Sequence, residues 1–219
     1  MAEEAKKLKI RAHSYDEHLA LKQQRIVSLC GVCDDLKKDI GGKGLMKDEN
    51  GRYLLTLEIG CGHGHWLTAY AEKTPNMLCI GMDIITKRID KANAKKEKRG
   101  LGNLYFYKAE FSEIIEAFKE KEFLLKNVVI LFPDPWPKKR HFKNRLMNDF
   151  TLETLAKRSA DETTLYFRTD HLGYFDWTED IFRNSALWVQ NDETKWLFEQ
   201  ETFFQEMMDS YNSLSAKLR

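Results

Sequence analysis

The stretch that most constrains the fold runs from Asn127 to Arg145. It opens as an unbroken apolar run, Val128-Val129-Ile130-Leu131-Phe132, and is then cut by prolines at 133, 135 and 137. A short β-branched run without polar alternation reads as a strand covered on both faces, the pattern of a parallel sheet. Each proline fixes its own φ and confines its predecessor to extended backbone, so the chain is expected to leave the sheet as a stiff segment. Asp134 sits in that segment, just past the strand's carboxyl end, where open α/β sheets bind ligands. Trp136 follows, then five cations in eight residues: Lys138, Lys139, Arg140, Lys143 and Arg145. Two readings of the loop are open. It is a proline-rich turn with a solvated basic face, or its acid, indole and cations converge on one side of a ligand site. The carboxylate at a strand end favours the second. Trp136 either stacks on a base or plugs the loop.

A second constellation lies upstream. Tyr53-Leu54-Leu55-Thr56-Leu57-Glu58-Ile59 reads as a buried strand and runs into Gly60-Cys61-Gly62-His63-Gly64-His65-Trp66, with a helix beyond. Strand, glycines, helix is a nucleotide-type turn in which the backbone can approach a ligand closely. The spacing is Gly-x-Gly-x-Gly, not the Gly-x-Gly-x-x-Gly of dinucleotide binders. Glu58 places a carboxylate at the end of the strand. That is unfavourable beside a pyrophosphate and favourable beside an ammonium, so the turn points to S-adenosylmethionine rather than NAD. The next strand, Met77 to Met82, ends at Asp83, which lies 23 residues beyond Gly60. An acid about 20 residues on is placed for ribose hydroxyls; the competing reading is a cap for the helix that begins near Thr86. A strand over Tyr105–Lys108 leads to Glu110, placed in such a fold to accept from the adenine amine.

Helical spacing predicts a helix near 16–38, another over 86–99 rich in Lys and Arg, and a short one around Ile114, Ile115 and Phe118. A covering helix is expected after Arg145, and one carrying Tyr174, Phe175, Trp177 and Phe182. Thr164–Phe167 is a fifth strand, ending in Arg168-Thr169-Asp170. Asp170 therefore shares a rim with Asp134. Strands and helices alternate throughout, which indicates one doubly wound α/β domain with a mostly parallel sheet over residues 51–219. Residues 1–50 form an N-terminal arm and helix, partly flexible.

With 35 basic and 34 acidic residues the net charge is +1, so nucleic-acid contact must come from local patches. No apolar stretch approaches a membrane span and no apolar signal core opens the chain, so a cytoplasmic protein is expected, monomer or homodimer, without membrane partner. Cys30 and Cys33 have redox-motif spacing but fall in a helical segment, and Cys61, His63 and His65 lack the further ligands a metal needs; no metal is expected.

The string Phe132-Pro133-Asp134-Pro135-Trp136-Pro137-Lys138-Lys139-Arg140-His141, followed by Lys143 and Arg145, resembles the signature of the bacterial tRNA (guanine-N7)-methyltransferase family. The resemblance spans Leu57 to roughly Gln205. It implies a Rossmann-like, seven-stranded sheet with helices on both faces and an antiparallel C-terminal strand. It also implies methyl transfer from S-adenosylmethionine to N7 of a guanine in the tRNA variable loop. On it, Glu58, Gly60, Gly62, Gly64, Asp83, Glu110 and Asp134 are donor-site positions. Lys138, Lys139, Arg140, Lys143, Arg145, Asp170, Thr202 and Gln205 are substrate positions, and Asp134 and Asp170 serve the chemistry. The chain departs from the family at Gln205, where the family carries Glu; Glu206 takes that place if the register slips. N7 has a free lone pair, so no general base is required, and catalysis reduces to positioning and electrostatics. Two rivals remain: a methyltransferase of this fold with another substrate, and a silent RNA-binding protein that keeps the fold.

Overall fold

The computed structural model describes residues 15–118, 122–191, 195–200 and 210–219. In chain order its elements are α1 (Tyr15–Ile40), β1 (Tyr53–Ile59), α2 (His65–Lys73), β2 (Leu78–Asp83), α3 (Thr86–Arg99), β3 (Leu104–Lys108) and α4 (Phe111–Ala117). Then come β4 (Phe123–Leu131), a 3-10 turn over Lys139–Asn144, α5 (Asp149–Ala156), β5 (Ser159–Thr169), α6 (Leu172–Asn184), β6 (Trp188–Gln190) and β7 (Asn212–Leu218). The strands form one seven-stranded sheet in the order β3-β2-β1-β4-β5-β7-β6. β1 to β5 pair in parallel, and β7 runs antiparallel between β5 and β6. The winding reverses between β1 and β4, so the crevice at their carboxyl ends is the switch point of the sheet.

Both faces of the central strands are covered because their side chains are apolar on both. Leu57, Ile80, Val128 and Phe167 join one core with α1, α4, α5 and α6. Cys79, Val129, Tyr166 and Phe106 join another with α2, α3 and the segment Trp196–Phe198. Fully burying one such side chain stabilises by about 1.5–3 kcal/mol. Inside the sheet, Asn127 Nδ2 donates to Thr56 Oγ1 at 3.0 Å, which satisfies the polar pair across β1 and β4. Helix α1 puts Leu29, Cys33, Leu36 and Ile40 into the first core. Its Arg25 pairs with the buried Glu113 of α4 at 2.6 Å. All four cysteines are free thiols.

β4 begins at Phe123, five residues before the apolar run suggested. The reason is a register shift around Lys126 against both neighbours. That irregularity lets Lys126 Nζ reach Asp161 O at 3.2 Å while the strand continues. The proline segment also differs from a stiff extended one. Phe132 and Trp136, each directly before a proline, have φ of 50° and 45°. Bulky residues pay about 1–3 kcal/mol for that backbone and keep it only where the surroundings enforce it. Here Phe132 N–H donates to Arg168 O at 2.8 Å, and its ring meets Tyr211 edge-on. The Trp136 ring meets His141 in the same way, 5.7 Å away.

Candidate active site

A cavity of about 310 Å³ opens at the switch point. It is lined by the turn after β1 (Gly60, Cys61, Gly62, His63) and the segment after β4 (Phe132, Asp134), with Glu58, Trp66 and Arg88 among the remaining walls. Glu58 is 3% exposed. Its carboxyl accepts from the Leu67 backbone N–H, while Oε2 has no hydrogen-bond partner among the described residues. Burial, with Asp83 nearby, pushes its pKa up to about 8. Burial, with Glu58 and Asp83 beside it, likewise raises the Cys61 thiol well above its ordinary value, so that thiol is no ready nucleophile.

The three glycines divide by role. Gly60 and Gly62 have positive φ, and a methyl group added at either would meet nothing within 4 Å, so their backbone faces open space at the cavity. At Gly64, a Cβ would fall 2.5 Å from Phe106 Cζ and 2.9 Å from Ala92 Cβ. That glycine lets α2 and α3 close on the sheet rather than touching the cavity. Asp83 ties the turn after β1 to the segment that leads into α3. Its Oδ1 accepts from Ile85 N at 2.8 Å, ahead of α3, and its Oδ2 accepts from Gly62 N at 3.1 Å and Arg88 Nη1 at 3.2 Å. It does not line the cavity, but Gly62 and Arg88, both held by it, do. Glu110 is exposed at the start of α4, in a capping box with Glu113, and is not a cavity residue.

Asp134 is exposed and lines the cavity. Asp170 is exposed just beyond β5. Leu131 is in register with Arg168, so the two acids follow neighbouring strand ends, yet Asp170 is outside the cavity. Lys138, Lys139, Arg140 and Lys143 are exposed along the loop. Arg145 is not. It is 2% exposed and donates to Pro135 O at 2.9 Å and Gly173 O at 3.2 Å. Its guanidinium lies 3.8 Å from the Phe142 ring centroid and also faces Tyr174 and Trp177. Counting it with the phosphate-facing cations is corrected on this geometry: it ties the proline loop to α6. Thr202, Gln205 and Glu206 lie outside the described residues.

Sequence reasoning passed over two groups. Arg168, 4% exposed, donates to both oxygens of Glu199 at 3.0–3.1 Å and to Ser213 Oγ at 2.8 Å, with Trp196 stacked on it. Trp66, a cavity wall, donates through Nε1 to Phe198 O at 2.9 Å. Together they fasten residues 196–199 beside the cavity. The signal for Arg168 was a cation inside a buried strand.

A family model described as "Putative methyltransferase" matches residues 52–217, about three quarters of the chain, from the start of β1 into β7. A tRNA (guanine-N(7)-)-methyltransferase of Clostridium botulinum (strain Loch Maree / Type A3) is 30% identical over 162 residues, covering 71% of this chain and 73% of that protein. The chain belongs to the tRNA (guanine-N7)-methyltransferase family. Relatives of that name in Rhodospirillum rubrum and Syntrophotalea carbinolica are 31% and 38% identical over 144 and 120 residues, which is 65% and 55% of this chain. The matched part spans only 56% and 51% of those two proteins. Crystal structures of the antibiotic-resistance methyltransferase Kmr and the aminoglycoside resistance methyltransferase NpmB1 align with a TM-score of 0.53 each, at 17% and 15% identity. They cover 84% and 85% of this chain and 92% and 93% of theirs, and they show the fold alone. Among the described residues no helix is long and apolar enough to cross a membrane, and no cluster of His, Cys, Asp and Glu is arranged to hold a metal.

Proposed function

We propose that this protein transfers a methyl group from S-adenosylmethionine to N7 of a guanine in the variable loop of tRNA. The observation that carries the reading is Glu58, a buried carboxyl with an unmet oxygen on the wall of a cavity. Such a group asks for a cationic hydrogen-bond donor and repels phosphate. An amino-acid ammonium answers it, so the residues present fit the methyl donor. Glu58 would hold the ammonium, and the backbone at Gly60 and Gly62 leaves room for close approach. A carboxylate offers about four acceptor positions; Asp83 uses three of them, which leaves one for a ribose hydroxyl. Glu110 remains exposed for an exocyclic amine.

The bound donor supplies a methyl group already activated on a sulfonium. With the donor held there, N7 would take the methyl carbon through its free lone pair, the carbon–sulfur bonding pair would stay on sulfur, and the positive charge would pass to the purine. What the protein adds is alignment and compensating charge. Asp134, on the cavity wall, accepts from the N1–H and N2–H edge of the guanine and faces the growing positive charge. Asp170 acts from the adjoining strand end. Lys138, Lys139, Arg140 and Lys143 hold phosphates, which fixes register without reading sequence. Residues 51–219 make up this unit and α1 braces it.

The test is incubation of unmodified tRNA with methyl-labelled donor, followed by digestion to nucleosides. Label in 7-methylguanosine is expected, with Asp134→Ala reducing the rate by about 100-fold or more while donor affinity changes only a few-fold. Label in another nucleoside, or donor binding without transfer to any tRNA, overturns the reading.

A further inference from the structure

Resting on that reading, we infer that the basic face of α3 is a second tRNA-backbone surface, on the opposite flank of the cavity from the proline loop. At 3.6 residues per turn, Lys87, Lys98, Lys91, Lys95, Arg88 and Arg99 fall within an arc of about 120°. The helix's acids, Asp90 and Glu97, fall outside that arc, while Ile89 and Ala92 are its buried residues. Helix physics does not ask for this arrangement. Lys87 and Arg88 occupy the first turn, where no acid is present and the macrodipole opposes a cation by about 0.3–1 kcal/mol. Two of the six are paired with acids, Arg99 with Glu72 and Arg88 with Asp83. Lys87, Lys91 and Lys98 have no acidic partner among the described residues.

The face also converges on the cavity mouth. Arg88 is a lining residue, and so are His63 and His65. Lys95 Nζ donates to His63 O at 2.7 Å and lies 2.8 Å from His65 Nε2. The His63 pKa is lowered by burial first and then by Lys91, Lys95 and Arg88. Cations are thus crowded, against their own repulsion, at the edge of the cavity that also holds Asp134. With a net charge of +1 this is a local concentration rather than a property of the chain. A polyanion laid across the mouth relieves that repulsion, and each phosphate it brings releases counterions. RNA reaching Asp134 from the proline loop would cross this face next.

The experiment measures binding of unmodified tRNA to the full chain between about 50 and 200 mM salt, for wild type, Lys87→Glu/Lys91→Glu and Lys157→Glu/Lys217→Glu. The last pair makes the same charge change on exposed lysines of α5's end and β7. The α3 variant is expected to bind roughly tenfold or more weakly at the higher salt, with a salt slope shallower by about 1.4–1.8 for two lost phosphate contacts. Its affinity for the methyl donor should equal that of wild type, which reports an intact fold. The control pair should keep the wild-type slope. An α3 variant with the wild-type slope, or a control pair that loses as much, overturns the surface while leaving the proposed reaction standing. No tRNA binding by wild type overturns both.

Discussion

A carboxyl group sealed inside a sheet and given one backbone N–H holds its proton to about pH 8 at Glu58, against an ordinary value of 4.5. Between those values the native protein keeps a proton that the unfolded chain has released. Stability from this group is therefore complete below about 4.5. It falls by at most about 1.4 kcal/mol per pH unit as pH rises, and is gone above about 8. Glu58→Gln cannot ionise. Thermal melts should place it level with wild type near pH 5 and several degrees above it near pH 8; equal melting at both ends contradicts the burial argument. Holding an ammonium requires the ionised form, so donor affinity should rise with pH up to about 8 with release of one proton. Calorimetry in buffers of different ionisation heat reads that proton directly. Glu58 was legible in the sequence because a lone charge closes an apolar strand. Arg145 was not, because a fifth cation in a basic loop carries no mark that it folds inward; the rings it meets at 174 and 177 are distant in sequence. Arg145→Met should cost about 2–3 kcal/mol of stability with no change in the salt slope of tRNA binding. Lys143→Ala should do the reverse, and denaturant melts with binding titrations separate the two.

The turn after β1 shows how one element divides its work. Gly62→Ala meets nothing within 4 Å, so its folding cost is the strain of a left-handed backbone, about 1–2 kcal/mol, and its main effect should be lost donor affinity. Gly64→Ala drives a methyl into Phe106 and Ala92 and should chiefly lower the melting temperature. Paired melts and donor titrations check this, and interchange of the two effects contradicts it. The glycine pattern in the sequence could not separate these roles, since the contact at Gly64 comes from β3 and α3. The ends of β4 were equally hidden: Lys126 breaks the apolar run, and only the register shift explains why the strand continues through it. The fastening of residues 196–199 is likewise a tertiary fact. Trp66→Phe removes the indole N–H and keeps an aromatic, though smaller, ring in its place. Amide exchange around Phe198 should quicken by roughly fivefold, for about 1 kcal/mol of hydrogen bond, and unchanged exchange would mean that the bond does not hold the segment.

At the scale of the whole molecule, the topology followed from alternation of buried runs and amphipathic stretches. The strand ends read in the sequence paired Asp134 with Asp170; the cavity instead has Glu58 and Asp134 on its walls, because β1 and β4 are neighbours where the winding reverses. The placement of β7 between β5 and β6 was not readable from pairing signals, since Asn212–Leu218 alternates polar and apolar residues as any edge strand does. Its position matters for the site: Ser213 on β7 takes a hydrogen bond from Arg168, which in turn holds Glu199. The central claim is that this single crevice brings a methyl donor against N7 of a guanine presented from the rim. Methylation at N7 makes the purine cationic and its nucleoside open to reduction and aniline-induced strand cleavage. The most direct measurement is therefore to map cleavage along end-labelled tRNA after incubation with enzyme and donor. One cleavage in the variable loop, dependent on donor and absent with Asp134→Ala, is the predicted result. Methyl incorporation without cleavage would place the methyl on another atom and contradict the account.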